Sequence, residues 1–365
     1  MTEKKFPIFK AGHIFNDVEW KNKIKAELKH KYVSLFYPAR LDAMAINPAA
    51  VAYNDQMKFT PGEVVVSINL GLKVTIKVID GQKNKVVVTK STKRKVLVNH
   101  AYGLMLNIFG ELPAMEIDVD DSQIIKHCGF GSSSSTMAAV SAGINELFGR
   151  PIKNSLLIKY LASNHGEEVD DANEQDLKAV QCIGGGATGG LTNAGVIIIA
   201  GESMTIAKMK YNGKVLIGVP NGFKVKDAKT LMELEEQNLH KFEKTGREYK
   251  DIIAYRLLHL ALPRMVEGKI DALADVVYDY RFNMGSNLNC SFVYDGMVQL
   301  NDDLKPLYLE KHCEFLALSS VGPAFFVIVN NDEDLKYCRE FMEKLDMNVT
   351  ETKIFNTIYK VNERR

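Results

Sequence analysis

Residues 127–137, HCGFGSSSSTM, constrain the fold more than any other stretch of this sequence. The strand-like pattern EIDVDDSQIIKH precedes them, and the small-residue run MAAVSAGINELFG follows with the spacing of a helix. Glycines permit backbone angles that turn successive N–H groups to one side, and the first turn of a helix adds N–H groups without intrahelical acceptors. We therefore predict a loop, followed by a helix that begins near Thr136, which together bind an anion such as phosphate.

The side chains of this loop would add oxygen ligands to the backbone donors. Small hydroxyl groups can bond phosphate oxygens or ligate Mg²⁺ where bulkier side chains would obstruct the approach. Ser134 is the predicted hydroxyl ligand of the metal, and Ser133 is a candidate catalytic residue. The loop lacks the Gly-Lys-Ser/Thr of a Walker A motif and the three spaced glycines of a dinucleotide site, and an N-capped turn with spare serines is the alternative. The residues expected around a polyphosphate are His127, Gly129, Gly131, Ser132, Ser133, Ser134, Ser135 and Thr136.

Two further segments lack side-chain bulk. Residues 184–190, GGGATGG, precede an apolar strand pattern, and residues 319–324, SSVGPA, lie between two such patterns. Three segments of this kind can come together around a ligand that needs close backbone approach. The alternative is that each makes a tight turn independently.

Composition excludes several classes of function. With 46 basic and 45 acidic residues, the chain has no overall field that attracts polyanions, so nucleic acid is not an expected partner. The basic run at residues 90–95, KSTKRK, is interpreted as solvated. The five cysteines are scattered without a Cys-x-x-Cys pair, which fits a reducing cytoplasm and indicates neither a disulfide framework nor a zinc site. No apolar segment reaches the length of a membrane span, and we expect neither secretion nor membrane insertion.

The pattern of strands and helices predicts an α+β fold. A β-rich block comes first and a mixed block follows, without the strict alternation of a doubly wound sheet. Residues 33–37 form a strand candidate that Pro38 stops, and the helical run KVLVNHAYGLMLNIF ends at Gly110. The 365 residues suffice for two domains, for which we predict the bounds 1–220 and 221–365. The oligomeric state is left open, with a homodimer as one alternative.

Three motifs in this order resemble those of the GHMP kinase superfamily, which includes galactokinase, homoserine kinase, mevalonate kinase and phosphomevalonate kinase. YPARLDAMAINP resembles the first motif, GFGSSSSTMAAV is similar to the Gly-Leu-Gly-Ser-Ser-Ala-Ala phosphate loop, and LSSVGPAFFVI resembles the third motif. The resemblance spans roughly residues 33 to 330. It implies a two-domain α+β fold with ATP and Mg²⁺ in the cleft between the domains.

The resemblance also implies roles for individual residues. Glu168 stands near the place of a family glutamate that completes the ligation of Mg²⁺, although the adjacent Glu167 is an alternative. Where several of these kinases carry an aspartate that acts as a base, this chain has Thr192 and Asn193, neither of which is a base at neutral pH. Asp42 is the nearest candidate to replace that base. The residues expected beside the substrate are Arg40, Asn193, Ser319, Ser320 and Gly322, and those expected to act in catalysis are Asp42, Ser133 and Thr192.

Three functions fit these residues. The first is an ATP- and Mg²⁺-dependent kinase acting on a small polar metabolite. The second is a pyrophosphate-releasing transferase, because His127 two residues before Gly129 resembles the β-ribofuranosylaminobenzene phosphate synthases, which use the same fold to bind phosphoribosyl pyrophosphate. The third is a non-catalytic protein that only binds a metabolite or protein partner, which the departure at Thr192 and Asn193 permits.

Overall fold

The structure is a computed structural model, and its sheets define the architecture. The described residues are 7–16, 24–46, 62–125, 127–169, 175–179 and 183–365. Their strands are β1 (Ile8–Lys10), β2 (Tyr32–Ile46), β3 (Gly62–Val78), β4 (Val86–Val88), β5 (Met115–Asp120), β6 (Glu167–Glu168), β7 (Asp176–Lys178), β8 (Val196–Ala200), β9 (Met204–Met209), β10 (Lys214–Pro220), β11 (Phe315–Leu318), β12 (Phe325–Val329), β13 (Met347–Lys353) and β14 (Lys360–Arg364).

Helices fill much of the remaining chain. The α-helices of the described residues are α1 (Lys95–Phe109), α2 (Ser132–Leu147), α3 (Asn154–Ser163), α4 (Gly185–Leu191), α5 (Ala228–Arg256), α6 (Leu262–Val266), α7 (Asp271–Tyr278), α8 (Met297–Asp303), α9 (Lys305–Leu309) and α10 (Asp332–Lys344). Two π-helical turns, Leu257–Ala261 and Asp279–Asn283, and the 3₁₀ helix Ser286–Cys290 complete them. The mixture of helices and sheets confirms the predicted α+β class.

A seven-stranded sheet built on β2 and β3 supports the site. Its order is β14-β2-β3-β5-β4, with β8 added along β3 and β9 along β8. Helices α2 and α4 pack against both central strands. The prediction that Pro38 stops the first strand is wrong, because β2 continues to Ile46. Pro38 lies just past the residues of β2 that pair with β14, and the register with β3 shifts between Pro38 and Ala39, so the missing N–H is tolerated there.

Helix α1 follows its sequence pattern closely. It ends at Phe109, and Gly110 follows with a φ of 73° and donates its N–H to the Leu106 carbonyl at 2.7 Å. This confirms the predicted end of the helix, since glycine adopts the left-handed conformation after a helix at little cost.

The sheets divide the chain differently from the predicted bounds 1–220 and 221–365. A four-stranded sheet has the order β11-β12-β10-β13, so Lys214–Pro220 pairs with strands from the second half of the chain. The C-terminal strand Lys360–Arg364 returns to the first sheet and pairs with β2. A domain boundary at residue 220 would therefore divide both sheets, because each sheet contains strands from both sides of that residue. No helix of the described residues is both long and apolar enough to cross a membrane.

Candidate functional site

Helix α2 begins at Ser132, so the serines form its first turn and not a loop ahead of it. The predicted start near Thr136 is wrong. Gly131 precedes the helix with a φ of 62°, and its carbonyl accepts the first helical hydrogen bond from Ser135 N–H at 3.0 Å. Within the described part of the chain, no acceptor pairs with the N–H groups of residues 132–134. Three donors at the positive end of a 16-residue helix are thus left for a ligand.

Two glycines are required before this helix because other segments occupy the space of a side chain. Gly129 has a φ of 87°, and a Cβ there would lie 2.3 Å from the Ser319 carbonyl oxygen. A Cβ at Gly131 would lie 2.6 Å from Arg40 Nε. Arg40 Nη1 (3.1 Å) and Ser319 Oγ (2.7 Å) both donate to the Gly129 carbonyl. The first and third motifs therefore contact the phosphate loop directly.

The three small-residue segments meet at one cavity. Gly131 and Ser132 line it from the first, Gly185 from the second and Ser320 and Gly322 from the third. The third segment connects β11 to β12, and Ser320 N–H donates to the Asp42 carbonyl at 2.8 Å. The structure therefore brings together segments that lie almost 200 residues apart in the sequence.

The second segment is a helix and not the loop that its glycines suggest. Gly185–Leu191 forms α4, and all seven residues are buried. A Cβ at Gly186 would lie 2.0 Å from Ser134 Oγ, and one at Gly190 would lie 2.2 Å from Tyr37 Cζ. Close packing against α2 and β2 holds this helix although glycine has a low helix propensity.

Arg94 is a buried member of the site. The interpretation of residues 90–95 as solvated is wrong for this residue, whose side chain is only 3% exposed. Its Nε donates to Glu168 Oε2 (2.7 Å), Nη1 to Ser132 Oγ (2.8 Å) and Nη2 to Ser133 Oγ (2.6 Å). One guanidinium thereby joins the first turn of α2 to the carboxylate of β6.

Glu167 completes this network. His165 Nε2 lies 2.8 Å from its Oε1, and Ser133 Oγ donates to its Oε2 at 2.5 Å. Burial would raise the pKa of Glu167, but the hydrogen bonds and charges of His165 and Arg94 bring it down to about 2. Glu167 is therefore ionised at neutral pH, and the Ser133 hydroxyl is engaged between two charged groups. A catalytic role for Ser133 stays a prediction.

The residues predicted to hold Mg²⁺ lie on the same cavity. Ser134 Oγ donates to the Gly131 carbonyl at 3.2 Å, and Glu168 lines the cavity with its Oε2 held by Arg94. Among the described residues, no three His, Cys, Asp or Glu side chains are grouped as a metal site. These oxygens fit Mg²⁺ only together with phosphate and water oxygens, which is how this ion is commonly held.

Asp42 and Glu63 form a carboxyl pair on adjacent strands of the cavity wall, 5% and 3% exposed. Glu63 Oε2 accepts a hydrogen bond from Gly185 N–H at 3.1 Å, and Arg40 Nε lies 3.7 Å from Glu63 Oε1. Burial and the negative charge of Asp42 raise the pKa of Glu63 to about 8. Glu63 therefore keeps its proton at neutral pH.

Some predicted site residues do not reach the cavity. Thr192 follows the C-terminal end of α4 and donates its N–H to the Thr188 carbonyl at 3.0 Å, and Asn193 is exposed. The cavity is lined by the opposite end of α4, which is about 10 Å away at 1.5 Å per residue. Ser135 and Thr136 belong to α2 and do not line the cavity. Ser319 does not line it either, but its Oγ donates to the Gly129 carbonyl of the phosphate loop.

Two of the residues predicted to contact phosphate or substrate, His127 and Arg40, line the cavity. His127 lines the cavity and has a φ of 55°. Lys126, which directly precedes His127 and whose charge makes it a further candidate partner for phosphate, lies outside the described residues. Arg40 lines the cavity and contacts the loop, as described above.

Helix α5 covers the cavity with a mostly apolar face. Asp227 caps its N-terminus by accepting a hydrogen bond from Thr230 N–H at 2.8 Å, and Lys178 Nζ lies 3.1 Å from Glu236 Oε1. An apolar cover strengthens the electrostatic interactions of the charged groups below it when it keeps water out. The cavity-lining residues of this helix are Leu231, Met232, Glu235, Leu239 and Phe242.

Sequence reasoning missed Glu63, Arg94 and His165. Glu63 opens the apolar run EVVVSINL, and Arg94 stands directly before the apolar helix KVLVNHAY. A charged residue next to such a run is a signal of a buried polar interaction. Its partner cannot be read from the sequence, because Glu63 and Arg94 bond residues 122 and 74 positions away.

The fold and part of the sequence are similar to those of known proteins. A family model, the GHMP kinases N terminal domain, matches residues 96–194, which run from the second residue of α1 through the phosphate loop, α2 and α3 to just past α4. Homoserine kinase from Cytophaga hutchinsonii shares the fold with a TM-score of 0.58 at 14% identity, over 93% of this chain and 100% of that chain. Residues 96–194 are thus similar to the GHMP kinases N terminal domain, and the chain shares its fold with homoserine kinase.

Other solved structures have the same fold at similarly low sequence identity. Mevalonate diphosphate decarboxylase from Staphylococcus aureus is 13% identical with a TM-score of 0.62, over 91% of this chain and 98% of that chain. Mevalonate kinase of L. major, in complex with R-mevalonate, is 12% identical with a TM-score of 0.53, over 92% of this chain and 100% of that chain. Identities this low establish the fold and not the activity. Comparison with curated protein sequences finds no match.

Proposed function

We propose that this protein is an ATP- and Mg²⁺-dependent phosphotransferase that acts on a hydroxyl or similar group of a small polar metabolite. The observation that carries the proposal is the set of N–H groups of residues 132–134, which lack protein acceptors in the described structure, at the cavity end of α2. A helix N-terminus with free donors binds phosphate through both hydrogen bonds and the helix dipole.

The surrounding side chains suit a bound triphosphate. Arg94 holds the hydroxyls of Ser132 and Ser133, so the first turn of α2 is ordered before a ligand arrives. Ser134 and Glu168 are the residues that would hold Mg²⁺. When bound, ATP supplies the phosphoryl group and Mg²⁺ offsets part of its charge. Positioning and charge stabilisation account for most of the catalysis in such transfers, and a preorganised loop supplies the positioning.

Isothermal titration with ATP and Mg²⁺ tests this proposal. We expect Ser134→Ala to weaken ATP binding, since it removes a cavity hydroxyl next to the free N–H groups. Ser141→Ala is the matched control, because Ser141 is a buried serine of the same helix that does not line the cavity. Unchanged affinity in Ser134→Ala, or no ATP binding by the wild type, would remove the basis of the assignment.

The two other functions are tested by the same titration. Tighter binding of phosphoribosyl pyrophosphate than of ATP would favour the synthase-type transferase, for which the position of His127 on the cavity is the supporting observation. ATP binding without turnover across a broad panel of metabolites would favour a protein that only binds a ligand.

A further inference from the structure

Helix α5 and the segments that follow it expose an apolar face. Helix α5, the π-helical turn Leu257–Ala261 and α6 follow one another without a gap. The inward side repeats every four residues, and its buried members are Ile253, Leu257, Ala261 and Met265. A surface helix normally turns polar side chains to the solvent. Here five large apolar side chains are between 45% and 89% exposed, namely Ile252, Tyr255, Leu258, Leu260 and Val266.

These five side chains are concentrated in one short segment, residues 252–266, which we call the apolar patch. In the described part of the chain, seventeen large apolar side chains are exposed, and five of them fall within these fifteen residues. Single exposed apolar residues are normal on a protein surface, whereas a contiguous apolar patch marks a binding surface. The cavity is lined by side chains from residues 231–242 of α5, so the patch is separate from the cavity.

The apolar surface continues beyond the helix. Helix α6 packs against β9, where Met204 and Ile206 are about half exposed. Among the described strands, β9 pairs with β8 alone, so its other edge is open. Folded proteins commonly cover such edges or protect them with charged side chains. The patch and the open edge are therefore neighbouring surfaces that one partner can cover together.

The charges on both sides of the patch indicate the kind of partner. Residues 247–251 and residues 264–271 each carry two basic and two acidic side chains, so neither flank has a net charge. An anionic membrane attracts segments with an excess of basic residues, and a strongly charged protein requires an excess of the opposite charge. A rim of mixed charge around an apolar centre instead fits a surface with the same pattern. A second copy of this chain presents such a surface.

The order of the charges fits an antiparallel pair. Lys250 lies seven residues before the π-helical turn and Glu267 six residues after it, and both are exposed. When two copies meet antiparallel with their π-helical turns at the centre, Lys250 of each copy lies opposite Glu267 of the other. A parallel pair would place like charges opposite each other, which is unfavourable. Glu267 also contacts Arg264 and Lys269, but exposed ion pairs of this kind contribute little and can share a further partner.

We propose that the apolar patch is the contact surface of a homodimer, in which it binds the same patch of a second copy of this chain. The contact is isologous, with a two-fold axis through the middle of the π-helical turn. Tyr255, Leu258 and Leu260 lie nearest to this axis and form the buried centre of the contact, and the charged flanks form its rim. This inference does not depend on the proposed function, because the patch and the cavity are separate.

The mass of the purified full-length protein is the first test. Light scattering after size-exclusion chromatography at micromolar concentrations should give twice the 40.8 kDa of one chain. Leu258→Glu places a charge at the centre of the contact, and we expect it to raise the dimer dissociation constant by about tenfold or more. Val87→Glu is the matched control, because Val87 is an exposed apolar residue of β4 in the first sheet. We expect this variant to remain a dimer.

Cross-linking tests the position of the axis. Leu260→Cys places a thiol near the axis in both copies, and we expect a disulfide-linked dimer after mild oxidation. Arg247→Cys is the control, because Arg247 lies twelve residues from the middle of the turn, about 18 Å at 1.5 Å per residue. Its two copies would be about 36 Å apart in an antiparallel pair, so we expect no link. The wild type, in which Cys128, Cys290, Cys313 and Cys338 are buried, shows the background.

Every outcome decides for or against the contact. A wild type that is monomeric at all concentrations, or a dimer that Leu258→Glu leaves intact, would overturn it. Sedimentation of the wild-type monomer with phosphatidylserine vesicles would assign the patch to a membrane instead. If Leu258→Glu fails to fold by circular dichroism, cross-linking decides, and a link through Arg247→Cys but not through Leu260→Cys would refute the antiparallel arrangement.

Discussion

Arg94 Nη2 lies 2.6 Å from Ser133 Oγ, although 39 residues separate the two in the sequence. The same guanidinium binds Glu168, so one side chain joins the first turn of α2, the carboxylate of β6 and the start of α1. Rigid placement of donors before ligand binding reduces the entropy that binding has to overcome.

Replacing Arg94 should lower the stability of the folded protein. Arg94→Met keeps the length of the side chain but leaves Glu168 buried without its cation, and we expect a loss of about 3–5 kcal/mol in the free energy of unfolding. Urea denaturation measures this. Lys93→Met is the matched control, because Lys93 is 67% exposed and lies 4.0 Å from Asp121, and a surface pair of this kind contributes at most about 1 kcal/mol. Equal stability of the two variants would contradict the role of Arg94.

Gly131→Ala should impair ATP binding beyond its effect on stability. Gly131 (φ 62°) and Gly201 (φ 59°) have nearly the same left-handed backbone, so alanine at either costs roughly 1–2 kcal/mol. Around Gly201 nothing lies within 4 Å of the added Cβ, whereas at Gly131 it displaces Arg40. We expect a larger loss of stability by thermal unfolding in Gly131→Ala, because its Cβ also displaces Arg40, and weaker ATP binding only in that variant. Equal ATP affinities would show that the Arg40 contact does not shape the loop.

His100 should make the protein sensitive to acid. Gly12 N–H donates to its Nδ1 (2.9 Å), and its Nε2 lies 2.7 Å from the Asn164 carbonyl, so the ring is held neutral. Burial lowers the pKa of His100 from 6.5 to about 4. Between pH 6.5 and about 4, His100 therefore binds a proton in the unfolded chain but not in the folded chain. The free energy of unfolding falls as the pH drops through this range.

The comparison with His100→Gln isolates this effect from the other titrating groups. We expect the difference in free energy of unfolding between wild type and His100→Gln to shrink as the pH falls through the same window. His259→Gln, at an exposed position, is the control. A difference that stays constant with pH would contradict the neutral, buried state of His100.

Cys128 should be unreactive despite its place beside the phosphate loop. The side chain is fully buried, and burial raises the pKa of its thiol to about 12. Because the thiolate is the reactive form, iodoacetamide should not label Cys128 in the native protein at neutral pH but should label it in urea. Mass spectrometry of the Cys128 peptide measures both. Native labelling at the rate of a free thiol would disprove the burial.

Local features of the fold could be predicted from the sequence. The end of α1 at Gly110 follows from a residue type whose effect acts over a few positions. The small-residue segments could also be recognised locally, but their meeting at one cavity depends on the tertiary fold. The start of α2 was misplaced because serine is common both in loops and at helix starts. The glycines of α4 indicate a loop by propensity, yet packing against Ser134 and Tyr37 makes them helical.

The sequence by itself determined that this chain has an α+β fold, since the class depends on short-range pattern, and it predicts an anion-binding turn at residues 129–136. Only the tertiary structure decided which charged residues share the cavity. The register of β2 with β3 places Asp42 near Glu63, and the return of the third motif bonds Ser319 Oγ to Asp42 N–H across 277 residues. Contacts at such separation arise from strand pairing and core packing, which no local pattern encodes.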